Sequence, residues 1–186
     1  MYNALDEQTL ARYCSQKDRM AEEELYRRYA AKVNALCRRY LADTDEANDL
    51  TLEVLVRALR KISTFNYSGK GSLAAWISRI AINMSINHLR RRRLQMVPLD
   101  FLAKDTIPEP SDEDMGTVPE ELLESWIAGL TDLRRTVFNL YSLDGYSHQE
   151  IGRMLGISER ASISALAKAR KQLKEKIRQY LKNQEL

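Results

Sequence analysis

The sequence predicts an all-α protein: two small helical domains joined by an acidic flexible linker, the C-terminal one a helix-turn-helix. Three observations predict it. Apolar residues recur at three- and four-residue steps on both sides of the middle of the chain, the spacing that lines one face of an α-helix. Between about Leu94 and Pro119 that pattern stops, and all four prolines (Pro98, Pro108, Pro110, Pro119) and the acidic run Asp112, Glu113 and Asp114 fall there. Near the C-terminus, YSHQEIGRMLGISERASISALAKARKQL pairs two capped helical patterns across a Gly-containing turn. These divide the chain into residues 1–95, a linker over 96–118 and a second domain over 119–186.

The first helix is expected over about Asp6 to Cys14 and the second over about Asp18 to Leu41. In the second, Leu25, Tyr26, Tyr29, Val33, Leu36, Cys37 and Tyr40 form an apolar seam, and Glu22 to Glu24 suit the positive end of the helix dipole. This is a packing helix. Asp43 opens a third helix to about Ile62, with Glu46 completing a capping-box pattern. Leu50, Val54, Ala58 and Ile62 make its core stripe. Leu52, Val56 and Leu59 form a second apolar row beside Asp49, Glu53 and Arg57. Such a helix is either sandwiched inside its domain or docks a partner, and the residues alone leave both open.

The connector Ser63 to Gly71, STFNYSGKG, is too polar and Gly-rich to continue the helix. Phe65, Tyr67 and Lys70 suit it to stacking and holding unpaired bases, at about 1–3 kcal/mol per stacked base. Phe65 is also placed to plug the bundle, and is assigned there. The helix Ser72 to Arg93 follows, with Ser72 as its expected N-cap. Leu73, Trp76, Ile77, Ile80, Ala81, Met84 and Leu89 lie on its core side, and Ser78, Arg79, Asn83 and Asn87 on a polar flank. Arg90, Arg91, Arg92 and Arg93 end it. They suit the negative end of the dipole and would equally grip a phosphate backbone.

Beyond the linker, Pro119 starts a helix to about Ala128, and Gly129 breaks it. Thr131 can cap the next, about Asp132 to Leu143, with Leu133, Val137, Phe138, Leu140 and Tyr141 buried and Gly145 just past its end. Ser147 and Glu150 form a capping box, Ile151, Met154 and Leu155 face inward, Gly156 and Ile157 make the turn, and Ser158 caps a last helix towards Leu181. On that helix Ser162, Leu166, Ala169 and Leu173 face inward. Arg160, Ile163, Ser164, Ala167, Lys168 and Lys171 face outward, where a recognition helix would meet the major groove. A plain αα-hairpin is the alternative.

The net charge of +3 hides a segregation. Residues 1–95 carry 17 Lys and Arg against 11 Asp and Glu, residues 96–125 carry 1 against 9, and residues 126–186 carry 11 against 6. Two basic blocks flanking an acidic connector point to modules that face a polyanion. No run approaches the roughly 18 apolar residues of a membrane span, and the opening MYNALDEQTL lacks the pattern of a secretory signal, so a cytoplasmic location is expected. Cys14 and Cys37 form no CxxC pair and are expected as buried thiols. With His88 and His148 the only imidazoles and no Gly-rich phosphate loop, no catalytic residue, metal site or cofactor is expected, and an enzyme is the least favoured class.

The order of pieces resembles a known family. Asp45 to Ala58 (DEANDLTLEVLVRA), a loop, Trp76 to Asn83 (WISRIAIN), an acidic linker and a C-terminal helix-turn-helix are together similar to a bacterial extracytoplasmic-function (ECF, group IV) RNA polymerase sigma factor. The resemblance covers nearly the whole chain. It implies a subunit that binds core RNA polymerase, directs promoter recognition and helps melt DNA at initiation. Its implied partners are the β′ clamp and β flap of core polymerase, promoter DNA and an anti-sigma factor, without membrane insertion. Asp49, Leu52, Glu53 and Val56 would dock the β′ clamp. Asn66, Tyr67, Lys70 and Asn83 would capture extruded bases of the minus-10 element, with Arg79 and Arg90 to Arg93 on nearby phosphates. Ser158, Arg160, Ile163, Ser164, Lys168 and Lys171 would read the minus-35 element, and the linker would thread the polymerase cleft near the RNA path.

Two departures from the family pattern carry consequences. Leu52 stands where Gln is usual and Leu55 where an aromatic often follows, so a polar contact to polymerase is lost. Ala161, Ile163 and Ala165 stand where Thr and basic or amide residues are common. Ile163 can contact a thymine methyl but cannot hydrogen-bond a base edge, so upstream recognition is expected to be weak, unusually apolar or replaced by protein contacts. Two other readings stay open: a stand-alone helix-turn-helix regulator, and a degenerate sigma-like interaction protein.

Overall fold

Short polar side chains ahead of apolar periodic runs set the helix starts. The computed structural model describes residues 5–95 and 118–184. In its first part are α1 (Glu7–Ser15), α2 (Arg19–Tyr40), α3 (Thr44–Lys61), a 3-10 turn (Ile62–Thr64) and α4 (Ser72–Gln95). The Asp6 carboxylate accepts from the Thr9 N–H at 2.8 Å, Asp18 from Ala21 at 3.1 Å, and Asp43 from Asp45 and Glu46 at 2.9 and 3.0 Å. Each satisfies donors that have no partner inside the helix, an interaction worth about 1 kcal/mol per cap. In the second part are α5 (Glu120–Ala128), α6 (Asp132–Phe138), a π-helical turn (Asn139–Leu143), α7 (His148–Leu155) and α8 (Glu159–Gln184). Every described element is helical. The stretch read as the linker lies almost wholly outside the described residues.

The chain divides into two units, Met1–His88 and Leu89–Leu186, the division falling inside α4. In the first, α2 packs along α3 and α1 lies on α2. The expected core stripes of α2 and α3 are buried at Leu25, Val33, Cys37 and Tyr40 and at Leu50, Val54 and Ala58. On α4 Leu73, Ile77 and Ala81 are buried as expected, Trp76, Ile80, Met84 and Leu89 are half-buried, and Ile82 and Ile86, outside the expected stripe, are buried. Phe65 packs on Trp76 of α4, with ring centroids 5.7 Å apart, but both rings are half-buried, so it closes the edge of the bundle rather than filling its core. Cys14 and Cys37 are both buried, and burial pushes both thiols' pKa up, that of Cys14 to about 11. On α2, Glu24 is buried and accepts from Arg27 and Arg28, while Arg28 also donates to the Leu5 carbonyl at 2.6 Å. That network ties the approach to α1 onto α2.

In the second unit, Leu130, Ala169 and Leu173 are buried together, with Trp126, Ile127 and Phe138 packed against them. The expected helix Asp132 to Leu143 keeps its span but changes pitch: α6 ends at Phe138 and the π-helical turn completes it. Thr131 precedes α6 without a side-chain cap bond. The Ser147–Glu150 capping box forms in full. Arg135, which periodicity did not single out, is buried; its guanidinium donates to the carbonyls of Ala128 and Leu130 at 2.9 and 3.2 Å and pairs with Asp132 at 2.6 Å. It thereby satisfies the carbonyl of Ala128, the last residue of α5, and that of Leu130 in the turn that follows.

Two outcomes follow from these buried charges. Arg135→Ala strands two carbonyls and is expected to lower the stability of the second unit by about 2–4 kcal/mol, read from urea unfolding. The hydrogen bonds from Arg27 and then Arg28 hold the Glu24 carboxyl at a pKa of about 2, below its ordinary 4.5. Its contribution is therefore complete above the ordinary value and fades as pH falls from about 4.5 towards 2. Glu24→Gln should remove that part of the acid dependence of unfolding, and an unchanged pH profile would count against it.

Candidate functional site

The first surface lies on α3. Asp49, Leu52, Glu53 and Val56 are all exposed, at i, i+3, i+4 and i+7 along one face. Leu52 and Val56 are 51% and 47% exposed, which decides between the two readings of this helix: its second apolar row is not sandwiched in the domain. Beside it is a groove of about 360 Å³ lined by Tyr26, Ala30, Ala31 and Asn34 of α2 and Asn48, Thr51 and Leu52 of α3. The Asn34 amide donates to Asn48 Oδ1 at 2.8 Å and Thr51 Oγ at 3.2 Å, joining the two walls. Tyr26, expected in the buried seam of α2, is 46% exposed on this groove. The seam runs through Leu25, Tyr29 and Val33, and residue 26 stands about 100° round the helix from Leu25.

The second surface is the loop before α4 and the polar flank of that helix. Asn66, Tyr67 and Lys70 are exposed. Gly69 and Gly71 adopt φ of +127° and +89°, conformations that let the loop turn sharply into the helix. Ser72 is the first helical residue rather than the cap. Glu7 of α1 takes the capping role, its Oε2 accepting from the N–H groups of Gly71 and Leu73 at 2.9 and 3.1 Å. Arg79, Asn83, Asn87 and Arg90 are exposed at four-, four- and three-residue steps, so they share one stripe. Arg91 and Arg92 are also exposed; the side chain of Arg93 lies outside the described residues. On the other flank, His88 Nε2 lies 3.5 Å from Glu46 Oε2 of α3.

The third surface is built by α7, its turn and α8. Gly156 takes the left-handed conformation that ends α7, the Ile157 N–H donates to the Gly152 carbonyl at 3.0 Å, and Ser158 Oγ accepts from the Ala161 N–H at 3.1 Å. An added Cβ at Gly152 would stand 2.9 Å from the Ile157 carbonyl oxygen, so a small residue sits where the turn crosses the helix. Ser158, Arg160, Ile163 and Lys171 are exposed and Lys168 is half-buried. Ser164 and Ala167, expected outward, are buried, as is Ala165. A helical wheel gives a direction, not a depth, and side chains this short stay near the helix backbone. A polar group missed by periodicity lies behind the face. His148 Nδ1 is 2.9 Å from the buried Ser162 hydroxyl, the imidazole stacks on Tyr141 at 4.4 Å, and the Arg170 guanidinium stands 5.7 Å from the centre of that ring.

The three surfaces offer apolar contact, stacking and cationic hydrogen bonding. Among the described residues no group of three or more His, Cys, Asp or Glu could hold a metal ion, and no helix is long and apolar enough to cross a membrane.

The family profile for Sigma-70 region 2 matches residues 25–95 and that for Sigma-70 region 4 matches residues 120–173. The chain is 27% identical over 188 residues to the ECF RNA polymerase sigma-E factor of Haemophilus influenzae, covering 95% of this chain and 98% of that protein. It belongs to the extracytoplasmic-function sigma factors. SigW of Bacillus subtilis, another ECF RNA polymerase sigma factor, is 29% identical over 167 residues, covering 81% of this sigma factor and 85% of its own length. Among solved structures, the sigma factor RpoE in complex with the anti-sigma factor NepR from Bartonella quintana aligns with a TM-score of 0.49 at 18% identity, over 82% of this chain and 94% of that one. The region 2 match spans the first two surfaces from Leu25 onward, and the region 4 match spans the third.

Proposed function

We propose that this chain is a group IV sigma factor of the bacterial cytoplasm whose separate surfaces engage core RNA polymerase and promoter DNA. Residues 1–95 dock polymerase and act on the minus-10 element, 96–118 form the acidic linker, and 119–186 act on the minus-35 element. The observation that supports this most is the pairing on adjacent helices of a bare apolar groove and a bare basic stripe. Polymerase is assigned to Asp49, Leu52, Glu53 and Val56, with Tyr26 added from the groove. An exposed apolar surface of this kind favours a protein partner, and an anti-sigma factor would compete for it when polymerase is absent. The sigma factor itself performs no catalysis, which stays with the polymerase.

Promoter opening needs no new chemistry from the sigma factor. Extruding a base costs a few kcal/mol, and stacking returns about 1–3 kcal/mol per base. Tyr67 supplies a ring for this, Asn66 and Asn83 supply amides that can donate and accept, and Lys70, Arg79, Arg90, Arg91, Arg92 and Arg93 supply charge for phosphates. In the second unit Ser158, Arg160, Ile163, Lys168 and Lys171 remain assigned to the minus-35 element. Burial removes Ser164 from that set. The exposed Ile163 favours methyl contact over hydrogen-bonded readout there.

The test is reconstitution with core polymerase and a pool of randomised duplexes. Wild-type holoenzyme should select promoters and transcribe from them, and failure to bind core at near-physiological salt would falsify the reading. Replacing Leu52 and Val56 together by Asp should weaken core binding by about 100-fold without lowering the melting temperature. Asn83→Ala should reduce open-complex yield about 10-fold on a selected promoter while core affinity stays unchanged. An unaltered yield would take Asn83 out of the site.

A further inference from the structure

The loop offered for base capture is anchored at both ends, and one anchor comes from a distant part of the chain. At its start Phe65 is fixed against Trp76. At its end Glu7, 64 residues away in sequence from Gly71, receives the N–H groups of Gly71 and Leu73 on one carboxylate oxygen. The other oxygen accepts from the Tyr29 hydroxyl at 3.1 Å. Tyr29 is buried, and that burial, with the Glu7 carboxylate beside it, pushes the phenol pKa up, so the hydroxyl remains a donor. The first N–H groups of a helix have no partner inside it, and a carboxylate matches both their hydrogen bonding and the dipole. The Ser72 hydroxyl turns the other way and accepts from the Ser68 N–H at 3.4 Å, back inside the loop. Asn66, Tyr67 and Lys70 stand exposed between the anchors.

We propose that Glu7 is a positioning residue for strand capture: aimed by Tyr29, it fixes Gly71 and the first turn of α4 so that Asn66, Tyr67 and Lys70 are presented open to the extruded strand. This rests on the strand-capture reading of the loop given above. Preorganisation is what Glu7 supplies. A loop whose exit from Gly69 to Gly71 is left free samples many backbone states, and only a fraction present the capturing side chains together.

The chemistry of the bridge selects the variants. In Glu7→Gln the amide oxygen can still accept from Gly71 and Leu73 while the amide nitrogen donates to the Tyr29 oxygen, so the geometry survives the loss of charge. Glu7→Ala removes all three bonds. In full-length protein, amide hydrogen exchange at Gly71 and Leu73 should speed up by about 10-fold or more in Glu7→Ala and stay within about 3-fold of wild type in Glu7→Gln. In holoenzyme on a selected promoter, well below the lowered melting temperature that the loss of three hydrogen bonds gives Glu7→Ala, open-complex yield should fall about 10-fold in Glu7→Ala and recover in Glu7→Gln, with core affinity held near wild type. Wild-type opening by Glu7→Ala overturns the proposal, and so does equal failure of the two variants or a loss of core affinity that tracks the loss of opening. If wild-type holoenzyme opens no selected duplex, the strand-capture reading falls and takes this role with it. That outcome is distinct, because it appears before any variant is made.

Discussion

Burial of one stripe of α4 is the constraint on which the first unit depends. Leu73, Ile77 and Ala81 are buried at four-residue steps, and burying a large aliphatic side chain contributes about 1.5–3 kcal/mol. Turning the helix to expose Ile77 would carry Arg79 or Asn83 towards the core, where an unpartnered guanidinium or amide is strongly disfavoured. The direction of the polar stripe is therefore set by the apolar one. Nothing on the polar side has to hold the helix in place, which leaves Arg79, Asn83, Asn87 and Arg90 free to be chosen for what they meet outside.

The second unit is held differently. Its buried set includes Arg135, Thr136, Asn139 and Ser162 beside Val137, Leu140 and Ile151. Buried polar groups must find partners, and partners are directional, so they specify where helix ends sit more narrowly than methyl groups do. Arg135 ties the end of α5 to α6, and His148 ties the first turn of α7 to α8 through Ser162. In a domain with a small apolar core, such links fix the angle at which α8 leaves the turn, and with it the direction of Arg160 and Ile163.

Most of the fold was legible because its signals are local. Asp6, Asp18, Asp43 and Ser147 precede their helices by one residue, and Gly156 sits where α7 must end. The exposed face of α3 was legible too, since Asp49, Leu52, Glu53 and Val56 share it by spacing alone. What escaped was depth and distance. Tyr26 was placed one helical step off the true seam, and Ser164 and Ala167 were judged by angle although side chains so short do not reach far from the backbone. Glu7 could not have been found by periodicity, because its partners lie 64 and 66 residues away and two of its bonds go to backbone N–H groups that carry no side-chain signature. Arg135 was hidden in the same way, since it serves carbonyls.

The distribution of exposed chemistry bears on where promoter discrimination resides. Discrimination by a hydrogen-bonded base contact is worth about 1–3 kcal/mol per base pair, and it requires donors or acceptors on the surface that enters the groove. On α8 the exposed residues from Ser158 to Lys171 include Arg160 and Lys171, which grip phosphate as readily as base, and Ile163, which reads only a methyl. Ser164, the hydroxyl expected there, is buried. On the first unit, Asn66, Tyr67 and Asn83 combine amide groups with an aromatic ring, and extruded bases expose edges that a paired duplex conceals. On the proposed reading, charge lies on both units and most of the uncharged readout chemistry on one, the exposed Ser158 hydroxyl being the exception at the start of α8, so the second unit supplies mainly affinity and register. Sequence choice then depends on how rigidly the loop before α4 holds its capturing side chains.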